Sequence, residues 1–212
     1  MSNAEQIIIA LMSAANPTSV SLATLAGVVL CWLIFAGIFI FRKRTPKAPE
    51  ARRDPRATIG IVLQMIGYFL GWFQLPHTVF LPRVGMLSGA VGLLFAFATV
   101  ALAIASVWLV AVAVHTLGKQ WAFEARLLEG HKLIMEGPYA YIRNPIYTGM
   151  LGMLIATGLA MEHWIALVPA IIIFTLGLLI RVRVEEKLLR AQFGQEFDEY
   201  ANRVPAVLPG IY

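Results

Sequence analysis

The sequence predicts an all-α integral membrane protein. Five transmembrane helices are expected, the last two forming a helical hairpin, followed by an amphipathic cytoplasmic C-terminal helix. Three observations carry that expectation. The 212 residues are 59% hydrophobic and only 14% charged, against roughly a half and a quarter in an ordinary soluble domain. Apolar runs of about the 20 residues needed to cross a bilayer recur along the chain. The basic residues gather between those runs, where the positive-inside rule explains them. A formal charge of +5 would also suit nucleic acid, but these basic residues are not interleaved with a stacking surface.

Residues 5–15 are apolar and end at Asn16-Pro17, as a short interfacial helix would. The first twenty residues carry Glu5 and no Lys or Arg. That is the wrong charge for a signal peptide, so the first span is expected to be a retained anchor. Span one runs from about Ser21 to Phe41 and stops at a basic loop holding Arg42, Lys43, Arg44, Lys47, Arg52, Arg53 and Arg56. Span two, about Ala57 to Leu75, carries Gln64 and Gln74, and its Gly67-x3-Gly71 spacing allows close approach of a neighbouring helix. After Pro76, Pro82 and Arg83, span three covers about Gly85 to His115, long enough to tilt or to project from the bilayer.

A polar connection, Thr116 to Asn144, separates a three-span region (1–115) from the remainder (116–212). The apolar stretch Pro145–Ile180 is too long for one helix and contains Glu162-His163. It reads as a hairpin, spans four and five, turning at Met161–Trp164. Gly152, Ala156 and Ala160 form a small-residue stripe expected to let the two arms close tightly. The tail starts at Arg181 and continues as an amphipathic helix to about Asn202, interrupted at Gly194.

Charge orients the whole. Of 17 Lys and Arg, only Arg83 falls between spans two and three; the rest lie in the first loop, the long connection and the tail. The N-terminus is therefore expected outside and the C-terminus in the cytoplasm, in a bacterial inner membrane or the endoplasmic reticulum. Cys31 is the only cysteine, which excludes an intrachain disulfide. His77, His115, His131 and His163 show no ligand spacing, so no metal site is expected. Neither a dinucleotide-binding glycine fingerprint nor a P-loop is present.

The chemistry concentrates where the hairpin begins and ends. In GPYAYIRNPIY, residues 137–147, Gly137-Pro138 is a turn. Asn144 is expected as N-cap and Pro145 as first helical residue. Helix-start N–H groups, the positive end of the helix dipole and Arg143 then converge at the membrane surface, which suits an anion. The same residues also fit an interfacial belt, with Arg143 snorkelling to lipid phosphates and the tyrosines at headgroup level; Tyr139 fits that belt best. At the hairpin exit stand Arg181, Arg183, Glu185 and Glu186. Adjacent glutamates on a helix diverge by about 100°, so one is expected to face a pocket and the other to pair locally. Arg181–Glu185 and Arg183–Glu186 are the available pairs. A solvated ion-pair face is the competing reading, but carboxylates at a membrane end are costly unless used.

From Leu117 to Tyr212 the chain resembles the isoprenylcysteine carboxyl methyltransferase family, with phospholipid N-methyltransferases as more distant relatives. The resemblance rests on Leu117-Gly118 with Trp121, GPYAYIRNPIYTG at 137–149 and RVRVEEKLL at 181–189. It continues through Phe193-Gly194, Tyr200 and Pro209. Two departures stand out. The family's usual Arg-His-Pro-x-Tyr is here Arg143-Asn144-Pro145-Ile146-Tyr147, so no ionisable group occupies position 144. Glu196-Phe197 replaces the common Glu-Tyr.

What the resemblance implies is S-adenosylmethionine held by the hairpin ends and tail, with a lipophilic acceptor entering from the bilayer. Arg143, Asn144 and Glu186 would be catalytic, Arg143 by orienting an anionic group. Tyr141, Pro145, Tyr147, Arg181, Glu185 and Glu186 would hold the cofactor. The implied acceptor is the carboxylate of a prenylated cysteine or a similar isoprenoid. A phospholipid amine is the alternative within the class, and a non-catalytic membrane scaffold the alternative outside it. A membrane reductase using a nicotinamide nucleotide fits this short chain less well. Beyond substrate and membrane lipid, no partner is implied, and nucleic acid is not one.

Overall fold

The computed structural model describes residues 17–41, 55–72, 90–118, 133–161 and 164–207. They form α1 (Pro17–Ile40), α2 (Pro55–Trp72), α3 (Ala90–Leu117), a 3-10 turn (Gly137–Ala140), α4 (Pro145–Ala160), α5 (Trp164–Phe193) and α6 (Gln195–Arg203). The expected interfacial helix at 5–15, the basic residues 42–53 and the proline-containing segment after α2 lie outside the described residues. So do Lys119, Trp121, Arg126, His131, Lys132, the Glu162-His163 turn and Pro209.

The regular elements among the described residues are all helical, and three helices are long and apolar enough to cross a membrane: Ser21–Ile40, Ala90–Leu117 and Ile165–Phe193. The chain is an integral membrane protein. In α1 and α3 apolar side chains point in every direction, so each helix buries one face and leaves the other bare. Leu30 and Leu33 on α1 and Leu94, Phe97 and Trp108 on α3 are exposed, as lipid-facing residues must be. α2 and α4 are shorter, 18 and 16 residues, or roughly 27 and 24 Å of helix at about 1.5 Å per residue.

The packing differs from the simple hairpin expected. α5 packs most extensively on α2, and α4 on α3, while α4 and α5 touch each other less. The glycines explain both pairings. A Cβ on Gly177 of α5 would lie 2.6 Å from the Gly60 carbonyl oxygen of α2, and one on Gly67 would lie 2.8 Å from Phe174 Cβ. Backbones this close tolerate no side chain. The stripe on α4 faces the other way from the one expected. A Cβ on Gly152 would strike Ser106 of α3, and Ala156 and Ala160 pack into a core with Val28, Phe35, Ala103 and Val107 from α1 and α3. A second core joins Tyr68, Tyr147, Leu154, Phe174 and Leu178, from α2, α4 and α5.

A second correction concerns the exit. No break separates a span ending near Ile180 from a tail beginning at Arg181. α5 runs unbroken to Phe193, so its 30 residues reach about 45 Å and carry Arg181, Glu185 and Glu186 as a rigid extension. The interruption expected at Gly194 is present. Gly194 adopts φ +54, a left-handed conformation that favours glycine, and the chain turns there into α6.

Candidate active site

The site is assembled where the start of α4, the last third of α5 and the tail meet. Pro145 occupies the first position of α4, as expected, but the Asn144 side chain does not cap the helix. Its Nδ2 donates instead to Ala206 O at 3.0 Å. The physical reason lies in residues 205–207, which run alongside the helix start as a strap. Arg143 N donates to Pro205 O at 2.9 Å and Asn144 N to Ala206 O at 3.0 Å. Thr148 Oγ1 donates to Val207 O at 2.7 Å.

Arg143 sits beneath that strap with its donors already directed. Nε and Nη2 both reach Glu186 Oε1 at 2.9 Å. Nη1 donates to Ala201 O at 2.6 Å and also to Val204 O. The last carbonyls of α6 carry the negative end of the helix dipole, so a guanidinium is favoured there. Arg143 binds a carboxylate from α5 and two carbonyls at the end of α6. It is mostly buried, which corrects the reading as a residue snorkelling to lipid. Arg183, the partner expected for Glu186, is exposed.

The neighbouring glutamate has different partners. Glu185 accepts a hydrogen bond from the Tyr147 hydroxyl and stands 3.6 Å from Arg181 Nη2, the expected i, i+4 pair. The Arg181 guanidinium also lies over the Tyr147 ring, 5.0 Å from its centre, a cation–π contact. The two carboxylates differ in access: the Glu185 side chain keeps 27% of its exposure and Glu186 only 9%.

Around this core the tyrosines separate. Tyr139, expected at the lipid belt, is buried. Its carbonyl accepts from Tyr200 Oη at 2.7 Å and its hydroxyl reaches Ala113 O at 3.5 Å, tying the 3-10 turn to α6 and α3. Burial pushes the Tyr200 hydroxyl up to about 12, with Glu186 adding to the shift and Arg143 opposing it. Tyr141, expected to contact the cofactor, is left 76% exposed. Phe197 is fully buried beneath the Arg190 guanidinium, so the ring without a hydroxyl suits its place.

Arg143, Asn144, Pro145, Tyr147, Arg181, Glu185 and Glu186 thus come together. Sequence reasoning gave no role to Thr148, to the strap at 205–207, or to Gln64 of α2, whose Oε1 accepts from Arg181 Nη1 at 3.4 Å. A polar residue inside an apolar span was the available signal for Gln64; backbone acceptors in a tail give none.

Residues 91–196 match the family model described as phospholipid methyltransferase. The chain belongs to that family. The resemblance to isoprenylcysteine carboxyl methyltransferases is shown as well. The chain is 31% identical over 101 residues to protein-S-isoprenylcysteine O-methyltransferase B of Arabidopsis thaliana, covering 47% of this chain and 51% of that one. It is 32% identical over 102 residues to the Saccharomyces cerevisiae protein-S-isoprenylcysteine O-methyltransferase, covering 47% and 43%. It is also similar, 33% over 113 residues and 51% of each chain, to the nickel-cobalt-cadmium resistance protein NccN of Alcaligenes xylosoxydans xylosoxydans. The chain spans about half the length of the curated relatives it matches. The fold is shared with the structure of a eukaryotic intramembrane Ras methyltransferase, isoprenylcysteine carboxyl methyltransferase, at TM-score 0.52 and 21% identity, over 74% of this chain and 53% of that one.

Proposed function

We propose that this chain transfers a methyl group from S-adenosylmethionine to a lipophilic acceptor at the cytoplasmic membrane face. The acceptor favoured is the carboxylate of a prenylated cysteine or a similar isoprenoid carboxylate. The observation that carries this reading is the convergence of two carboxylates, Glu185 and Glu186, on the α4 start within the family-matched segment. The names of the plant and yeast relatives favour the acceptor class.

The residues fit the cofactor. Its sulfonium and ammonium call for carboxylate and aromatic neighbours, and Glu185 beside Tyr147 supplies both. Of the two glutamates, Glu185 is the one left accessible, so it holds the ammonium or the ribose hydroxyls. Glu186 and Arg143 act together as the clamp that keeps the strap on α4. Bound there, S-adenosylmethionine would supply an electrophilic methyl for an acceptor oxygen, its C–S electron pair remaining on sulfur. A carboxylate needs no base for this, so Asn144 in the place of histidine is compatible with the step. The chain's part is to align the reactants and exclude water. Opposite charges vanish in the transfer, which a dry site favours over water.

In this reading α2 and α4 complete five spans, with the N-terminus outside and α6 in the cytoplasm, in a bacterial inner membrane or the endoplasmic reticulum. Residues 116–212 then form the methyltransferase-like region and 1–115 the three-span region. The test is transfer of labelled methyl by purified protein in lipid, offered a farnesylated cysteine analogue and separately a total lipid extract. Label on the analogue, lost with Glu185→Gln, is the expected result. Label in the lipid extract alone would move the acceptor to a phospholipid amine, the chemistry the family model is named for. No transfer together with no calorimetric binding of S-adenosylhomocysteine would overturn the enzyme and leave a scaffold.

A further inference from the structure

Gln64 of α2 is a buried polar side chain that approaches the proposed site from outside the family-matched residues 91–196. It is 1% exposed. Its carbonyl oxygen faces Arg181 Nη1 at 3.4 Å, and its Nε2 has no hydrogen-bond partner among the described residues. An unsatisfied buried donor costs about 1–3 kcal/mol, and a methionine of similar shape would avoid that cost. The unmet donor does not explain the glutamine, although its oxygen gives the buried Arg181 guanidinium an acceptor.

Geometry does. The glycine contact of Gly60 with Gly177 and Arg181 brings α2 so close to α5 that a Cβ at Gly60 would lie 2.5 Å from Arg181 Cγ. Gln64, one turn further along α2, is thereby held against the Arg181 side chain. Arg181 in turn stands 3.6 Å from Glu185 and over the Tyr147 ring, and Tyr147 donates to Glu185. A guanidinium on a long stem has many rotamers, and an oxygen on its far side removes those that would turn it away from the carboxylate.

We infer that Gln64 is a positioning residue for cofactor binding: through Arg181 it sets the orientation of Glu185. This rests on the reading of Glu185 as the cofactor-facing carboxylate. It gives the N-terminal spans a part in the site that the family-matched segment does not contain.

The experiment is a double-mutant cycle with Gln64→Met and Glu185→Gln, read by calorimetric affinity for S-adenosylhomocysteine in lipid nanodiscs, with thermal unfolding measured alongside. Loss of one oriented hydrogen-bonding partner predicts about a three- to tenfold weaker affinity for Gln64→Met. In the Glu185→Gln background the same substitution is expected to add less than about twofold, because coupled residues are not additive. Additive effects, or unchanged affinity in Gln64→Met, would overturn the inference while leaving the methyltransferase reading intact. Wild-type protein that binds no S-adenosylhomocysteine would overturn both. Should Gln64→Met not fold, Gln64→Asn, which shortens the reach to Arg181 but keeps the amide, is measured in the same cycle against the same two outcomes.

Discussion

The middle of the bundle and its polar mouth are held together by opposite chemistry. In the middle, α2 meets α5 through Gly60, Gly67 and Gly177, and α3 meets α4 through Gly149 and Gly152. Backbone approach and apolar filling dominate there, with Trp32 Nε1 donating to Thr157 Oγ1 and Tyr68 Oη to Met150 O, each at 2.9 Å, as isolated polar contacts. At the mouth, Arg143, Glu186, Tyr147, Glu185 and Arg181 form directed contacts, and the strap adds hydrogen bonds to the α4 start. Apolar packing sets how far apart the helices stand; the polar contacts set which way each side chain points. A site that must align two reactants belongs at the second kind of place.

The contrast can be broken at either end. Arg143→Ala is expected to have the largest effect. It leaves Glu186 buried without its cation, a loss of about 3–5 kcal/mol in reversible unfolding by SDS in mixed micelles. In a Glu186→Gln background the same change should cost much less, since no unpaired charge remains. Equal costs in the two backgrounds would mean that the clamp is not a pair. In the middle, Gly177→Ala forces a Cβ against the Gly60 carbonyl and should cost about 1–3 kcal/mol. Gly37→Ala, where a Cβ would meet only the Phe41 ring at 3.7 Å, serves as the tolerant control.

Smaller effects sharpen the boundary of the mouth. Arg190 pairs with Asp198 at 2.6 Å, but both side chains are about half exposed. Arg190→Ala should therefore change stability by less than about 1 kcal/mol, and a larger loss would extend the directed network to the Arg190–Asp198 pair. Tyr200 gives the weakest signal, none at neutral pH. Its hydroxyl is raised from an ordinary value of 10.0 to about 12. Between those values the folded state holds a proton that the unfolded state has released, so this contribution to stability is complete below pH 10 and declines as pH rises toward 12. The step that Tyr200→Phe removes from the tyrosinate absorbance titration should lie above pH 10.

Much of the fold was legible because its causes are local. Apolar runs, Pro145 at a helix start and Gly194 between α5 and α6 each act within a few residues, and each stands where expected. The family motifs at 137–149 and 181–189 were also correctly judged to converge, since a hairpin returns its two open ends to one side of the membrane.

The chain alone therefore determined a basic-loop, multi-helix membrane protein, its family, and the end of the bundle where polar groups meet. Arg181–Glu185, one turn apart on a helix, was legible too, but only the tertiary structure decided the longer-range pairs. Arg183 turned outward while Arg143 came from 43 residues away to take Glu186. The α4 stripe packed on α1 and α3 instead of α5, and Asn144 gave its amide to the strap instead of its own helix. Those outcomes depend on distances between segments far apart in sequence. A helix presents several faces to several neighbours, and which neighbour fills each face is settled by how closely the backbones can approach, not by the pattern within any one segment.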